Sequence, residues 1–247
     1  MNQEGTSLNE MDLVSLLALV QTGKVADAIA VVKANPNPME ASAAFIELSK
    51  QTYRDLKDVS SMVALGNAGT QFAVSKAASS ENSADAEKLR KYAKVLAFNT
   101  AANCWPGWGD IGIDIKTEHL QAGLKLAELC RDLTVELKLG HQERGTAHWL
   151  IGALDLAMGH YADSLAELQC AKEEFRAGGN SDQVLLADGY AALALKAQPE
   201  SRLAGAHELD RILLLLGNQN SKEAPFFANQ LITADRVLLP ARLSDVG

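Results

Sequence analysis

Aromatic side chains make up only 5% of this 247-residue chain, and the groups that most enzymes and metal proteins depend on are equally thin. The three cysteines, Cys104, Cys130 and Cys170, are odd in number and far apart, so neither a disulfide framework nor a zinc spacing is present. No two of the five histidines stand four residues apart, and no His-Glu-x-x-His occurs, so no metal site is expected. A phosphate-cradling Gly-x-x-x-x-Gly-Lys and a Gly-x-Ser-x-Gly nucleophile elbow are both missing. No cofactor and no catalytic residue are expected. Basic residues number 23 against 31 acidic ones, a net charge of −8, and nucleic-acid binding, which needs clustered Lys and Arg, is not expected. The most basic run, Lys88 to Lys91 with Lys94, reads as the solvated face of an amphipathic helix.

Long apolar runs are missing too. No stretch reaches the length of a membrane span, so no membrane partner is expected. Leu13 to Val20 follows Glu4, Glu10 and Asp12 with no basic residue before it, which is the wrong flank for a secretory signal. Together with the scattered cysteines this implies a reducing, cytoplasmic setting.

What the chain has is helix formers. Hydrophobic residues reach 47%, dominated by alanine and leucine, both strong in helices, while alternating Val, Ile and Thr runs are absent. Apolar residues recur at helical spacing in one segment after another, and Asn35-Pro36-Asn37-Pro38, Gly140, Gly178-Gly179 and Gly217 punctuate them. The pattern predicts an all-α protein of about eleven helices joined by short turns. No linker is polar or long enough to force two domains, so residues 1–247 read as a single domain with one boundary-like loop at 105–115. Gly66 and Gly69 fall inside one predicted helix, where they either permit a close crossing or weaken the helix.

The clearest stretch is Thr146 to Arg176. Trp149, Leu150, Ala153, Leu156 and Ala157 form one apolar stripe, and Tyr161, Leu165, Leu168 and Ala171 form the next. Gly159 sits where the first helix must stop in a left-handed cap, and small Gly152 and Ser164 let the two helices approach. Gly152, Gly159, Tyr161 and Ser164, followed by Leu168 and Ala171, resemble the signature of the tetratricopeptide repeat. His148 and Asp155 stand where that family usually has tryptophan and tyrosine, and Arg176 stands near its proline. Gly23-Lys24-Val25-Ala26-Asp27-Ala28-Ile29-Ala30 repeats the corner Gly159-His160-Tyr161-Ala162-Asp163-Ser164-Leu165-Ala166, with glycine, Ala, Asp and the final Ala identical. The resemblance implies stacked antiparallel helical hairpins in a right-handed superhelix. It further implies a non-catalytic scaffold that binds a protein or peptide on a face built from the leading helices.

One passage fits no helix: Trp105-Pro106-Gly107-Trp108-Gly109-Asp110-Ile111-Gly112-Ile113-Asp114. Its tryptophans either plug the groove between hairpins or anchor a partner on a glycine-rich loop. Asp110 and Asp114 are the polar candidates there, and Trp149 is either core or part of an inner binding surface. Two other functions stay open. One is a small-ligand or enzymatic site built on the 105–114 loop, and the other is a structural subunit that self-associates through the C-terminal helix carrying Phe226 and Phe227.

Overall fold

The structure, a computed structural model, describes residues 10–239, with side chains from residue 13 onward. Among them are eleven α-helices and no strand, an all-α architecture in which consecutive helices within each unit pack as neighbours. The candidate first caps Ser7 and Asn9 lie outside the described residues. The chain divides into two compact units between Cys104 and Trp105, at the start of the loop that breaks the helical pattern.

The first unit holds α1 (Glu10–Gln21), α2 (Val25–Lys33), α3 (Pro38–Arg54), α4 (Val59–Ala78) and α5 (Ser83–Asn103). Pro38 is the first residue of α3, where its missing N–H would be unpaired anyway. The Asn37 side chain accepts hydrogen bonds from the amides of Met39 and Glu40 at 3.0 and 3.4 Å. Asp58 caps α4 by accepting from the Ser61 amide at 3.0 Å. That helix runs unbroken through Gly66 and Gly69. A Cβ at Gly69 would fall 2.6 Å from the Phe45 Cβ, so this glycine serves a close crossing of α3 and α4. α3, α4 and α5 pack on one another, and the α1–α2 hairpin packs on α3 and α4. Leu16, Val20, Val32, Phe45, Leu48, Leu65 and Leu96 form the shared core.

The second unit opens with a 3-10 turn, Pro106–Trp108, then α6 (Thr117–Glu136), α7 (His141–Met158) and α8 (Tyr161–Ala177). It continues through α9 (Ser181–Lys196), a second 3-10 turn, Pro199–Ser201, α10 (Arg202–Gly217) and α11 (Ala224–Leu238). Thr117 is the first residue of α6 and Lys116 takes the cap position, where its amide donates to His119 Nδ1 at 3.1 Å. Asn180, one residue before Ser181, caps α9 by accepting from the Gln183 amide at 3.1 Å. Each helix from α6 to α11 packs on the next, and α9 also touches α7 and α11.

Candidate functional site

The second unit is built on a repeated corner. Gly159 has φ +82°; its amide donates to Leu156 O at 3.1 Å and the His160 amide to Asp155 O at 2.9 Å. These two bonds close the last turn of α7 in the left-handed cap that glycine favours. Gly23 repeats them in the first unit at φ +77°, with its amide on Val20 O and the Lys24 amide on Leu19 O, both 2.9 Å. After each corner the matching helix positions point inward: Ala28 and Val32 on α2, Ser164 and Leu168 on α8, none more than 1% exposed. Gly179 makes the same pair of bonds at φ +73°, and so does Lys138 at φ +52°. Lys138 is the corner that sequence reasoning missed, because a lysine at positive φ costs about 1–2 kcal/mol and carries no signal.

The two hairpins α7–α8 and α9–α10 share their buried positions. Ser164, Leu168, Ala171 and Phe175 face inward from α8, and Gly205, Leu209, Ile212 and Leu216 do so from α10. In the first hairpin the Ser164 hydroxyl donates to Gly152 O at 2.7 Å across the crossing. A Cβ on Gly152 would meet Leu168 Cγ at 2.8 Å and Ser164 O at 3.1 Å. In the second, a Cβ on Gly205 would fall 2.7 Å from Ala192 O and 2.8 Å from Leu195 C, so backbone meets backbone. Tyr161 is half-buried, with its hydroxyl 3.9 Å from where a Cβ on Gly159 would stand.

Three histidine–carboxylate contacts cross the first hairpin. His141 Nδ1 lies 2.7 Å from Glu174, His148 Nδ1 lies 2.6 Å from Glu167, and His160 Nδ1 lies 3.2 Å from Asp155. Arg144 donates to Glu174 at 3.0 Å, and Arg131 of α6 donates to Glu167 at 3.3 Å. Burial raises the Glu174 carboxyl, but the hydrogen bonds and charges of His141 and Arg144 outweigh it and hold the group below its usual range. Asp155 goes the other way: burial pushes it up, and the His160 contact only partly offsets that. The seven-residue step from His141 to His148 is legible in sequence; the acidic partners on α8 are not.

The loop tryptophans and Trp149 come together. Trp105 is fully buried, with its ring 4.9 Å from Trp108, 6.1 Å from Trp149 and 5.6 Å from Tyr190. Trp149 of α7 meets Tyr190 of α9 edge-on at 5.5 Å. Gln230 of α11 donates to the Tyr190 hydroxyl at 3.0 Å. The four rings thus tie the leading helices of the two hairpins to the 3-10 turn and to the last helix, with Trp108 half-buried at the edge. Such ring pairs add about 0.5–1.5 kcal/mol each beyond burial. Asp110 and Asp114 are exposed on the loop. Among the described residues no group of three His, Cys, Asp or Glu side chains is placed to hold a metal ion.

An apolar groove of about 430 Å³ lies at the start of α9, floored by Val184, Leu185 and Leu215 and edged by Arg176 and Gln219. On α11, Phe227 is buried, whereas Phe226 and Ile232 are 58% and 54% exposed. Among the described residues, no helix is long and apolar enough to cross a membrane. No protein-family model matches the chain, nor does any curated protein or solved structure.

Proposed function

We propose that this chain is a non-catalytic scaffold of the tetratricopeptide-like class that binds a protein or peptide in the cytoplasm. The observation that carries the reading is the recurrence of one hairpin, with its buried positions, in α7–α8 and α9–α10. Repeated hairpins that each bury a face on their neighbour make extended surfaces suited to elongated partners. The spacing from His141 to Ser181 is 40 residues, longer than the 34 of the tetratricopeptide repeat, so the likeness is one of construction. The groove at the start of α9 is the natural seat: its floor accepts an aliphatic side chain, and Arg176 at its edge favours an acidic neighbour.

Selection of displayed peptides against the full chain tests this. Enriched peptides are expected to carry an aliphatic residue beside an acidic one, and to lose at least tenfold in affinity for Val184→Glu and Leu215→Glu proteins that keep their helical content. Failure to enrich any peptide, or unchanged affinity in both variants, would overturn the reading. The exposed Phe226 and Ile232 favour self-association through α11 as a second reading. It predicts a concentration-dependent dimer in sedimentation that Phe226→Ser abolishes.

A further inference from the structure

The first unit contains a half-enclosed cavity of about 400 Å³ between α3 and α5, floored by Met62 of α4. Its volume falls in the range of about 300–1,000 Å³ typical of small-ligand sites. Ile46 and Leu96 supply apolar wall, Ser49 and Thr100 line the same space, and Asn99 and Asn103 bring carboxamides from α5.

Two hydroxyls of the lining are buried without a partner. A buried serine or threonine inside a helix normally bonds back to the carbonyl four residues earlier. Ser42 does so to Pro38, Thr70 to Gly66 and Thr134 to Cys130, at 2.7 to 2.8 Å. Ser49 and Thr100 stand in the same helical setting, 6% and 1% exposed, yet their hydroxyl oxygens have no partner, as is also true of Thr52 of α3 outside the cavity lining; Thr100 packs against Gly66 of α4, which leaves Ser49 as the hydroxyl nearer to a ligand's reach. A buried hydroxyl without a partner costs about 1–3 kcal/mol, a cost that a bound polar group would remove.

Charge narrows the ligand. The charged side chains of the lining, Glu47 and Lys50, face each other at 3.7 Å with about half of each exposed. The interior therefore offers no counter-charge, and an ionic group entering it would be desolvated without compensation. Hydroxyls and carboxamides both donate and accept, and Ile46, Met62 and Leu96 match a hydrocarbon face.

We propose that this cavity binds an uncharged small molecule of monosaccharide to nucleoside size, bearing hydroxyl or carboxamide groups on one side and an apolar face on the other. The site is independent of the peptide-binding reading.

Saturation-transfer NMR on the full chain tests it, with myo-inositol, D-glucose, uridine and nicotinamide as probes and citrate and spermidine as charged controls. Transfer is expected to at least one uncharged probe and to neither control. Its affinity should fall about tenfold, the worth of one hydrogen bond, in Ser49→Ala. Asn103→Leu, at a half-exposed position, gives the same readout should Ser49→Ala unfold the bundle. A fall in either variant supports the site. No transfer to any of the four probes, equal transfer to a control, or unchanged affinity in both variants would overturn it.

Discussion

The hairpins α7–α8 and α9–α10 place their buried side chains alike but close by different means. The first keeps a side chain at its crossing, with Ser164 bonded to Gly152 O, and adds three histidine–carboxylate contacts along its length. The second removes the side chain altogether at Gly205, so that α10 rests on the backbone of α9. Its charged groups turn outward to other helices instead: Lys172 of α8 pairs with Asp188 of α9, and Lys196 of α9 with Asp235 of α11. One hairpin is held by polar contacts within itself, the other by close approach and by its neighbours. Equivalent burial therefore does not require equivalent residues, provided that the crossing stays short of side-chain bulk.

What the hairpins share should be the most sensitive point. Trp105 packs against Trp149 of one and Tyr190 of the other. Trp105→Ala removes that common anchor, and a loss of about 3–5 kcal/mol in urea denaturation is expected. A loss under about 1 kcal/mol would mean that the hairpins hold together without the aromatic cluster. Trp108, half-buried at the edge, should cost less.

Within the first hairpin the effects become smaller. Ser164→Ala deletes the hydroxyl that spans the crossing and should cost about 0.5–1.5 kcal/mol. The measurement is again the urea midpoint, and no change would assign the crossing to packing alone. Smaller still is the contact at the open end. Glu174 is held below its ordinary value, so its contribution is present above the usual glutamate pKa of about 4.3. That contribution is lost as pH falls through the lowered folded value. Glu174→Gln should cost at most about 1 kcal/mol near neutral pH, and the difference from the parent protein should vanish in acid. A difference that grows in acid would reverse the sign.

The corners were the most legible part of the fold. A glycine after an apolar stripe marks a left-handed cap, which is why Gly159 and Gly23 could be paired from their neighbours alone. Ser164 and Gly152 were legible as small residues at a crossing, though not as hydrogen-bond partners. The second copy of the hairpin was hidden, because Gly205, Ile212 and Leu216 keep the spacing of Ser164, Ala171 and Phe175 without their identities. The aromatic cluster was half visible. Trp105 and Trp108 drew attention by composition, but Tyr190 and Gln230 reach them only through the stacking of distant helices. The cavity of the first unit left no pattern at all, since an unpartnered hydroxyl differs from a back-bonded one only in three dimensions.

The difference between the two crossings is tested most directly by writing one residue into the other's place. Gly205→Ser puts the side chain of the first hairpin into the second, where its Cβ would meet backbone atoms of α9 that cannot turn aside. The expected result is a drop of about 3 kcal/mol in unfolding free energy from urea denaturation. An unchanged midpoint would contradict it, and would mean that α9 and α10 cross with as much room as α7 and α8.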